Sequence, residues 1–498
     1  MRKIIAVLLT VFLCFTLACA DETQKAPDYV MEGYDGDSAN HDWDTNLFFA
    51  RRQEATGISF QFRQFSDFGK WQSRKSEILA GKDLPDVLFK AELTVSETQK
   101  LYADGLIIDL KPYLEQYAPD LWNLLKTHPE WESAITLPDG SIPVLPNFNE
   151  LQNNDAVWIN QNWLQTLKLD MPETADELTD VLRAFRTDDP NRNGKADEIP
   201  LTFIGMWELR FLGHAFGIID NDYYVTAENG NVSTSLNQEE NRMFLTWLHQ
   251  LWQENLLDHN GFMSVDATRQ ITDEKASVPY GAMLSVSPLT VVPSAALGQY
   301  TLLEPLAYNG KRIYRDLLGE VIRGTFAITK DCRDPEKLVE WVNYLYTEEG
   351  NRLAVSGLEG EEYIWNEDGY WEWLEEASNV ANYILPSATI SEGGSAPGLT
   401  AADFQLKYAD RNTRTAITQL YTLKQYAVLP YPYVTLTAED AARIAELQAA
   451  IAPYAEETMA CFVTGDTEIN DENWSIFCNE LERLGLTEMI GIWQKYVR

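Results

Sequence analysis

The stretch "ISFQFRQFSDFGKWQSRKSEILAGKDLPDVLF", residues 58–89, decides the fold class. Ile58, Phe60 and Phe62 alternate with Ser59, Gln61 and Arg63, which predicts a half-buried strand. "FGKWQSRKSEILAG" follows with helical spacing, and Gly81 closes it. "LPDVLF" is then short and nearly all apolar, the pattern of a strand covered on both faces. Upstream, "DYVMEGYDGD" predicts a strand running into an acidic loop. "DTNLFFARRQEATG" predicts a helix with Asp44 or Thr45 as its N-cap and Gly57 as its stop. Strand, helix, strand, helix, strand in succession is the signature of an α/β sheet with parallel strands.

The alternation continues downstream. "DAVWINQNWLQTLKL" predicts a strand passing into a helix. In "MPETADELTDVLRAFR", Thr174 and Glu177 have capping-box spacing, and Leu178, Val181, Leu182 and Phe185 share one helical face. "IPLTFI", "YGAMLSV" and "EVIRGTFAI" predict strands. "EENRMFLTWLHQLWQENLL" and "DPEKLVEWVNYLYTEEGNRLAVSG" predict amphipathic helices, and the pattern is mainly helical from Thr437 onward. A chain of 498 residues with this pattern divides into two or more lobes rather than building one core.

Residues 1–20 stand apart. "MRK" gives a positive start, and Ile4 to Leu17 form an apolar run too short to cross a bilayer, as in an export signal. In "TLACADE", Cys19 is placed for lipidation as a new N-terminus, although Thr16 stands where leucine is usual. Cleavage after Ala20 is the alternative. The formal charge of −37 makes nucleic acid an unsuitable partner and favours divalent cations. Beyond the signal only Cys332, Cys461 and Cys478 remain, too few for a disulfide framework. Buried thiols are expected in preference to a Cys461–Cys478 bridge.

"RTDDPNRNGKADEIPL", residues 186–201, places hard oxygen ligands in phase. With Asp189 at position 1, Asn191 falls at 3, Asn193 at 5, Gly194 at 6 and Lys195 at 7, where a backbone carbonyl serves. Asp197 and Glu198 complete an oxygen shell of the kind Ca2+ takes. Two features depart from the EF-hand rule: Pro200 occupies position 12, and a strand follows where a helix should. The expected role is structural, a clamp between helix and strand. The loop "DGDSANHDWD", with Asp35, Asp37, His41 and Asp42, is read as a solvated acidic turn in preference to a second metal site.

Several stretches together resemble the family 1 extracellular solute-binding lipoproteins of ABC sugar importers, in particular the alginate-oligosaccharide-binding type with an embedded Ca2+ loop. They are "SRKSEILAGKDLPDVLF", "LYADGLIIDLKPYLEQYAPDL", "ITLPDGSIPVLP", the segment from "VWINQNW" through "KADEIPL", "LVEWVNYLYTEEGNRLAVSGLEGEEY" and the tail "FVTGDTEINDENWSIFCNELERLGLTEMIGIWQKY". The resemblance implies a two-lobed periplasmic-binding-protein-like fold of type II, with mixed sheets flanked by helices and an interlobe cleft. It implies one lobe from residues 24–145 and 322–385, and another from 146–321 and 386–498 carrying the loop 189–198. It also places Ca2+ on Asp189, Asn191, Asn193, the Lys195 carbonyl, Asp197 and Glu198.

By the same resemblance the chain binds an oligosaccharide, without catalysis, on the outer face of the cell membrane, as a lipid-anchored monomer that docks on permease subunits. Sugar sites need aromatic platforms and planar polar groups. Candidates in loops after strands are Tyr34, Trp43, Glu92, Asn147, Asn149, Glu150, Trp207, Arg210 and Arg323, with Trp365 in a turn-rich loop. Trp247, Trp252 and Trp341 lie on amphipathic helices and are expected in the core. Trp71 and Trp158 fit either core or cleft floor. The alternatives are a secreted Ca2+-stabilised carbohydrate-active enzyme, which needs two carboxylates roughly 5–9.5 Å apart, and a sugar sensor or adhesin. No H-E-x-x-H or G-x-S-x-G motif is present.

Overall fold

The computed structural model describes residues 27–37, 40–151, 154–273, 275–315 and 321–497. The expected export signal and Cys19 lie outside the described residues.

The opening stretch forms the elements its pattern predicts. Phe60–Phe65 is a strand, Phe68–Leu79 a helix and Val87–Phe89 a fully buried strand. Tyr29–Tyr34 pairs in parallel with both strands. The helix between, Leu47–Thr56, is capped by Asn46, one residue beyond the predicted Thr45, and stops at Gly57 in the left-handed region. The sheet has six strands, in the order Gly398–Thr400, Leu145–Asn149, Val321–Ile328, Val87–Phe89, Tyr29–Tyr34, Phe60–Phe65. Val321–Ile328 runs antiparallel to both neighbours, so the sheet is mixed.

A second sheet orders Tyr300–Leu302, Ala156–Asn160, Tyr280–Ser285 and Ile199–Thr202. Every residue of Tyr280–Ser285 is buried, as its apolar run predicts. The helix Ala175–Thr187 buries Leu178, Val181, Leu182 and Phe185 on this sheet. Its cap differs from the expected box. Thr174 accepts from the Glu177 amide, but the Glu177 carboxylate accepts from the Glu173 amide instead (2.7 Å).

Each sheet builds its own apolar core, so the protein has two lobes. The chain passes from the first sheet to the second between Asn149 and Ala156, returns between Arg315 and Val321, and leaves again after Thr400. The expected boundaries at 145/146 and 385/386 are therefore both too early. Leu145–Asn149 and Gly398–Thr400 pair with each other in the first sheet. A smaller apolar unit, Tyr363, Trp371 and Phe404, sits beside the last passage, with Trp371 stacked on Phe404 at 4.6 Å. The 27-residue helix Ala438–Thr464 then packs along Glu239–Gln253 and ends at Gly465. Between Val428 and this helix the chain touches the first lobe: Gln99 donates to the Leu436 carbonyl (2.5 Å) and Ser133 to that of Tyr433 (2.6 Å).

Candidate functional site

The carboxyl ends of parallel strands are where ligands sit in open α/β sheets. In the second lobe that edge opens into a cavity of about 640 Å3. Trp207, Glu208 and Arg210 line it from beyond Ile199–Thr202, Ser285 and Val286 from the end of Tyr280–Ser285, and Asn154 and Asp155 from the incoming passage. A second cavity of about 540 Å3 lies between the lobes. Leu93, Thr94, Val95 and Arg323 line it from the first lobe, Asn221, Asp222 and Tyr223 from the second, with the segment 429–434 between. Asp222 and Arg315 belong to both walls, so the two spaces meet at their ion pair (2.5 Å). Each volume suits a small ligand.

Trp207 is 47% exposed at the second-lobe rim, a large flat face held out to solvent. The turn beneath it is cross-linked by hydrogen bonds. Glu208 is buried, accepts from the Ile204 amide (2.5 Å) and receives two bonds from Arg269 (2.8 and 2.9 Å). Burial pushes the Glu208 carboxyl up to about 7, against the pull of Arg269. Arg210 lies over the Tyr224 ring and donates to Asp220 (2.6 Å) and to the Asn221 carbonyl (3.0 Å). It shapes the wall while its charge is already matched. Burial pulls Arg323 below the usual guanidinium range, near Tyr433 and Tyr223.

The other expected ligand residues divide. Asn147 and Asn149 line a first-lobe pocket of about 210 Å3 with Ile322, Ser391 and Ser395. Asn147 donates to the Ala396 carbonyl (3.0 Å), and Asn149 accepts from the Leu151 amide (2.9 Å). Glu150 accepts from the Ala402 amide (3.0 Å), which ties two interlobe passages. Glu92 stands beside the Leu93–Val95 wall, largely in solvent, and partial desolvation of its carboxyl raises it against the pull of Lys75 and Lys90.

Three candidates are not in the cleft. Trp43 is 2% exposed among Phe49, Phe62 and Phe89. Tyr34 is buried in the first lobe, and its hydroxyl bonds Asp37 (3.0 Å). Trp365 packs on Phe404 in the small apolar unit. Tyr34 ends the first strand and Trp43 follows it, but both side chains turn into the first lobe, while Trp365, expected in a turn-rich loop, ends the short strand Tyr363–Trp365. Trp71 and Trp158 are both core. Trp247 and Trp341 are buried as expected, with Trp252 packed against the same core as Trp247.

The acidic turn is solvated at Asp37 and Asp42, as expected, but not at Asp35. Asp35 is buried and receives bonds from Trp43 Nε1 (2.9 Å), Gln64 Nε2 (3.1 Å) and Lys90, with His41 Nδ1 at 3.1 Å. Lys90, fully buried, also donates to the Ile390 (3.3 Å) and Glu392 carbonyls. The pair pins the returning segment onto the first sheet. There Gly393 is left-handed, and a Cβ would sit 2.1 Å from the Asp35 carbonyl oxygen.

The sequence reading missed Asn154, Asp222, Tyr223, Arg315 and Tyr433. Only Tyr433 carried a local signal, the extended "LPYPYV" stretch. The rest become neighbours only when the passages cross.

In the loop 189–198, side-chain oxygens turn inward. Asp189 accepts from the amides of Asn193 and Gly194 (both 3.0 Å). Asn191 accepts from the Asn193 amide (2.9 Å) and Asn193 from that of Lys195 (2.7 Å). The Asn193 carboxamide reaches both Asp197 oxygens (2.9 and 3.2 Å), and Gly194 takes the positive φ expected at position 6. Glu198 is 3% exposed, and its Oε1 has no hydrogen-bond partner. Among the described residues no three His, Cys, Asp or Glu side chains come together as a metal-holding group, although the loop carries three carboxylates, Asp189, Asp197 and Glu198. Cys332, Cys461 and Cys478 are free thiols.

No established family profile matches the chain. It is 28% identical over 536 aligned positions to the fructooligosaccharide ABC transporter substrate-binding protein FusA of Streptococcus pneumoniae serotype 4, covering 99% of this chain and 97% of that one. The solved structure of FusA in complex with kestose superposes with a TM-score of 0.69 at 25% identity, over 94% of this chain and 98% of that one. The fold is that of a solute-binding protein. An HMO-binding, ABC-transporter-associated solute-binding protein of Bifidobacterium longum infantis gives a TM-score of 0.77 at 20% identity, over 94% and 98% of the two chains. The alginate-binding protein AlgQ2, solved without calcium ion, gives 0.67 at 19% identity, with the same coverage. FusA has also been solved as an EF-hand mutant. Among the described residues no helix is long and apolar enough to cross a membrane.

Proposed function

We propose that this solute-binding protein is the extracellular substrate-binding component of an ABC importer, which captures an oligosaccharide between its lobes and delivers it to the permease. The observation that carries this reading is the pair of cavities meeting at Asp222 and Arg315, walled by both lobes and by the passages on which the lobes turn. Trp207, Tyr223 and Tyr433 supply aromatic faces, and Asn154, Asp155, Asp222 and Arg323 supply planar polar groups. Rotation about the passages closes such a cleft over its ligand, and the closed form docks on the permease. Cys19 would carry the lipid that holds the protein, as a monomer, at the outer membrane face.

Asp189, Asn191, Asn193, the Lys195 carbonyl, Asp197 and Glu198 would hold Ca2+, and the partnerless buried Glu198 Oε1 supports that fit. The ion would clamp the Ala175–Thr187 helix to the Ile199–Thr202 strand. Calorimetric titration with kestose, maltotriose, lacto-N-tetraose and trigalacturonate, followed by chromatography of each sugar after incubation, tests the reading. Binding without cleavage is expected. Cleavage would establish the enzyme instead, and no binding across neutral and acidic sugars would remove the transport role.

A further inference from the structure

Two residues that line the second-lobe cavity each hold a sealed polar atom with nothing to bond. Asn154 is 1% exposed. Its Nδ2 donates to the Arg315 carbonyl (2.8 Å), which fixes the opposite atom as oxygen, and that Oδ1 has no partner. Arg315 is 7% exposed. Its Nη2 donates to Asp222 Oδ1 (2.5 Å) and its backbone amide to His214 Nε2 (3.4 Å), but Nε has no partner. Both residues line the same cavity of about 640 Å3, below the exposed face of Trp207.

Buried polar groups in folded proteins are nearly always satisfied. An unmet acceptor and an unmet donor on two residues that are hydrogen-bonded to each other and line one cavity mark a place that a ligand completes. We infer that Asn154 and Arg315 form a hydroxyl-reading pair: one sugar hydroxyl donates to Asn154 Oδ1 and accepts from Arg315 Nε–H. The chemistry selects the group. A carboxylate would set its lone pairs against those of Asn154 Oδ1, and an ammonium would offer nothing for Nε–H to donate to. A hydroxyl is the smallest group that does both.

The position gives the pair its weight. Asn154 lies on the first passage between lobes and Arg315 at the start of the second. Tyr314 ties the same two passages again by donating to the Asp155 carbonyl (2.9 Å). The hydroxyl is thus read at the axis of the cleft, where its partners are preorganised, rather than on a rim loop. This assignment rests on the proposed sugar-binding role.

Kestose, maltotriose and trigalacturonate are titrated calorimetrically into the wild-type protein, and the tightest-binding sugar is carried forward with its monodeoxy derivatives. Asn154→Ala removes the acceptor. Arg315→Lys keeps the charge that pairs with Asp222 but removes Nε–H. Each variant is expected to bind about 10- to 100-fold more weakly, with thermal unfolding confirming that it is folded. One monodeoxy derivative should lose a similar factor against the wild type and nothing further against Asn154→Ala. If a sugar binds and both variants keep wild-type affinity, the pair is not a reader, although the transport role stands. If the variants weaken binding but every monodeoxy derivative loses equally against wild type and Asn154→Ala, their role is structural and the assignment falls. If no sugar binds the wild type, both readings fall.

Discussion

Replacing His214 by glutamine should remove an acid-sensitive contribution to the second lobe's stability. His214 is 5% exposed, packed edge-on against Phe211 (5.9 Å) and Tyr314 (5.4 Å), and accepts the Arg315 amide through Nε2. Burial, then the neighbouring Arg315 charge, lowers its pKa from 6.5 to about 3, with Arg210 adding to the effect and Asp220 opposing it. The folded state therefore holds the imidazole neutral, while the unfolded chain protonates it near 6.5. A depressed folded value means that the stability is fully present above 6.5 and is lost as pH falls toward 3. Between pH 7 and pH 5 the unfolded state gains about 1.5 units of protonation free energy, or about 2 kcal/mol at 1.36 kcal/mol per unit. Glutamine keeps an acceptor for Arg315 and does not titrate. Urea unfolding at pH 7 and pH 5, followed by second-lobe tryptophan fluorescence, should show the wild type losing about 2 kcal/mol more than His214→Gln. Equal losses, or an imidazole NMR titration near 6.5 in the native protein, would refute the reasoning.

Trp207→Ala should weaken sugar binding about tenfold or more while shifting the melting temperature by under about 2 °C, since the ring is half in solvent; calorimetry and thermal melting check both. Trp43→Ala should do the reverse, costing about 3–5 kcal/mol of first-lobe stability with sugar affinity of the folded fraction unchanged, as urea unfolding and titration would show. Lys90→Ala should cost about 3–5 kcal/mol by leaving Asp35 buried without its cation, read by urea unfolding. Excess chelator should lower the second lobe's melting temperature, because an ion held at about 100 to 1,000 times its Kd contributes about 2.7–4.1 kcal/mol. The same melting curve with Ca2+ and with chelator would remove the ion from the loop.

By itself the sequence determined what depends on near neighbours. Alternation and helical spacing in residues 58–89 specify the α/β layering, since side-chain direction repeats every second residue in a strand and every third or fourth in a helix. The turn at Asp189 is legible for a related reason: Asp189, Asn191 and Asn193, two residues apart, all accept from amides of one tight turn in which Gly194 takes a positive φ. Tertiary structure alone decided which loops face the cleft. Trp43 and Trp207 both follow strands, yet one is sealed under Phe49 and Phe89 and the other stands in solvent. The lobe boundaries were equally hidden, because Gly398–Thr400 joins the first sheet by pairing with Leu145–Asn149, more than two hundred residues earlier. Asn154 and Arg315 show the same limit: their hydrogen bond spans 161 positions, and no local period encodes a contact made only when two passages cross.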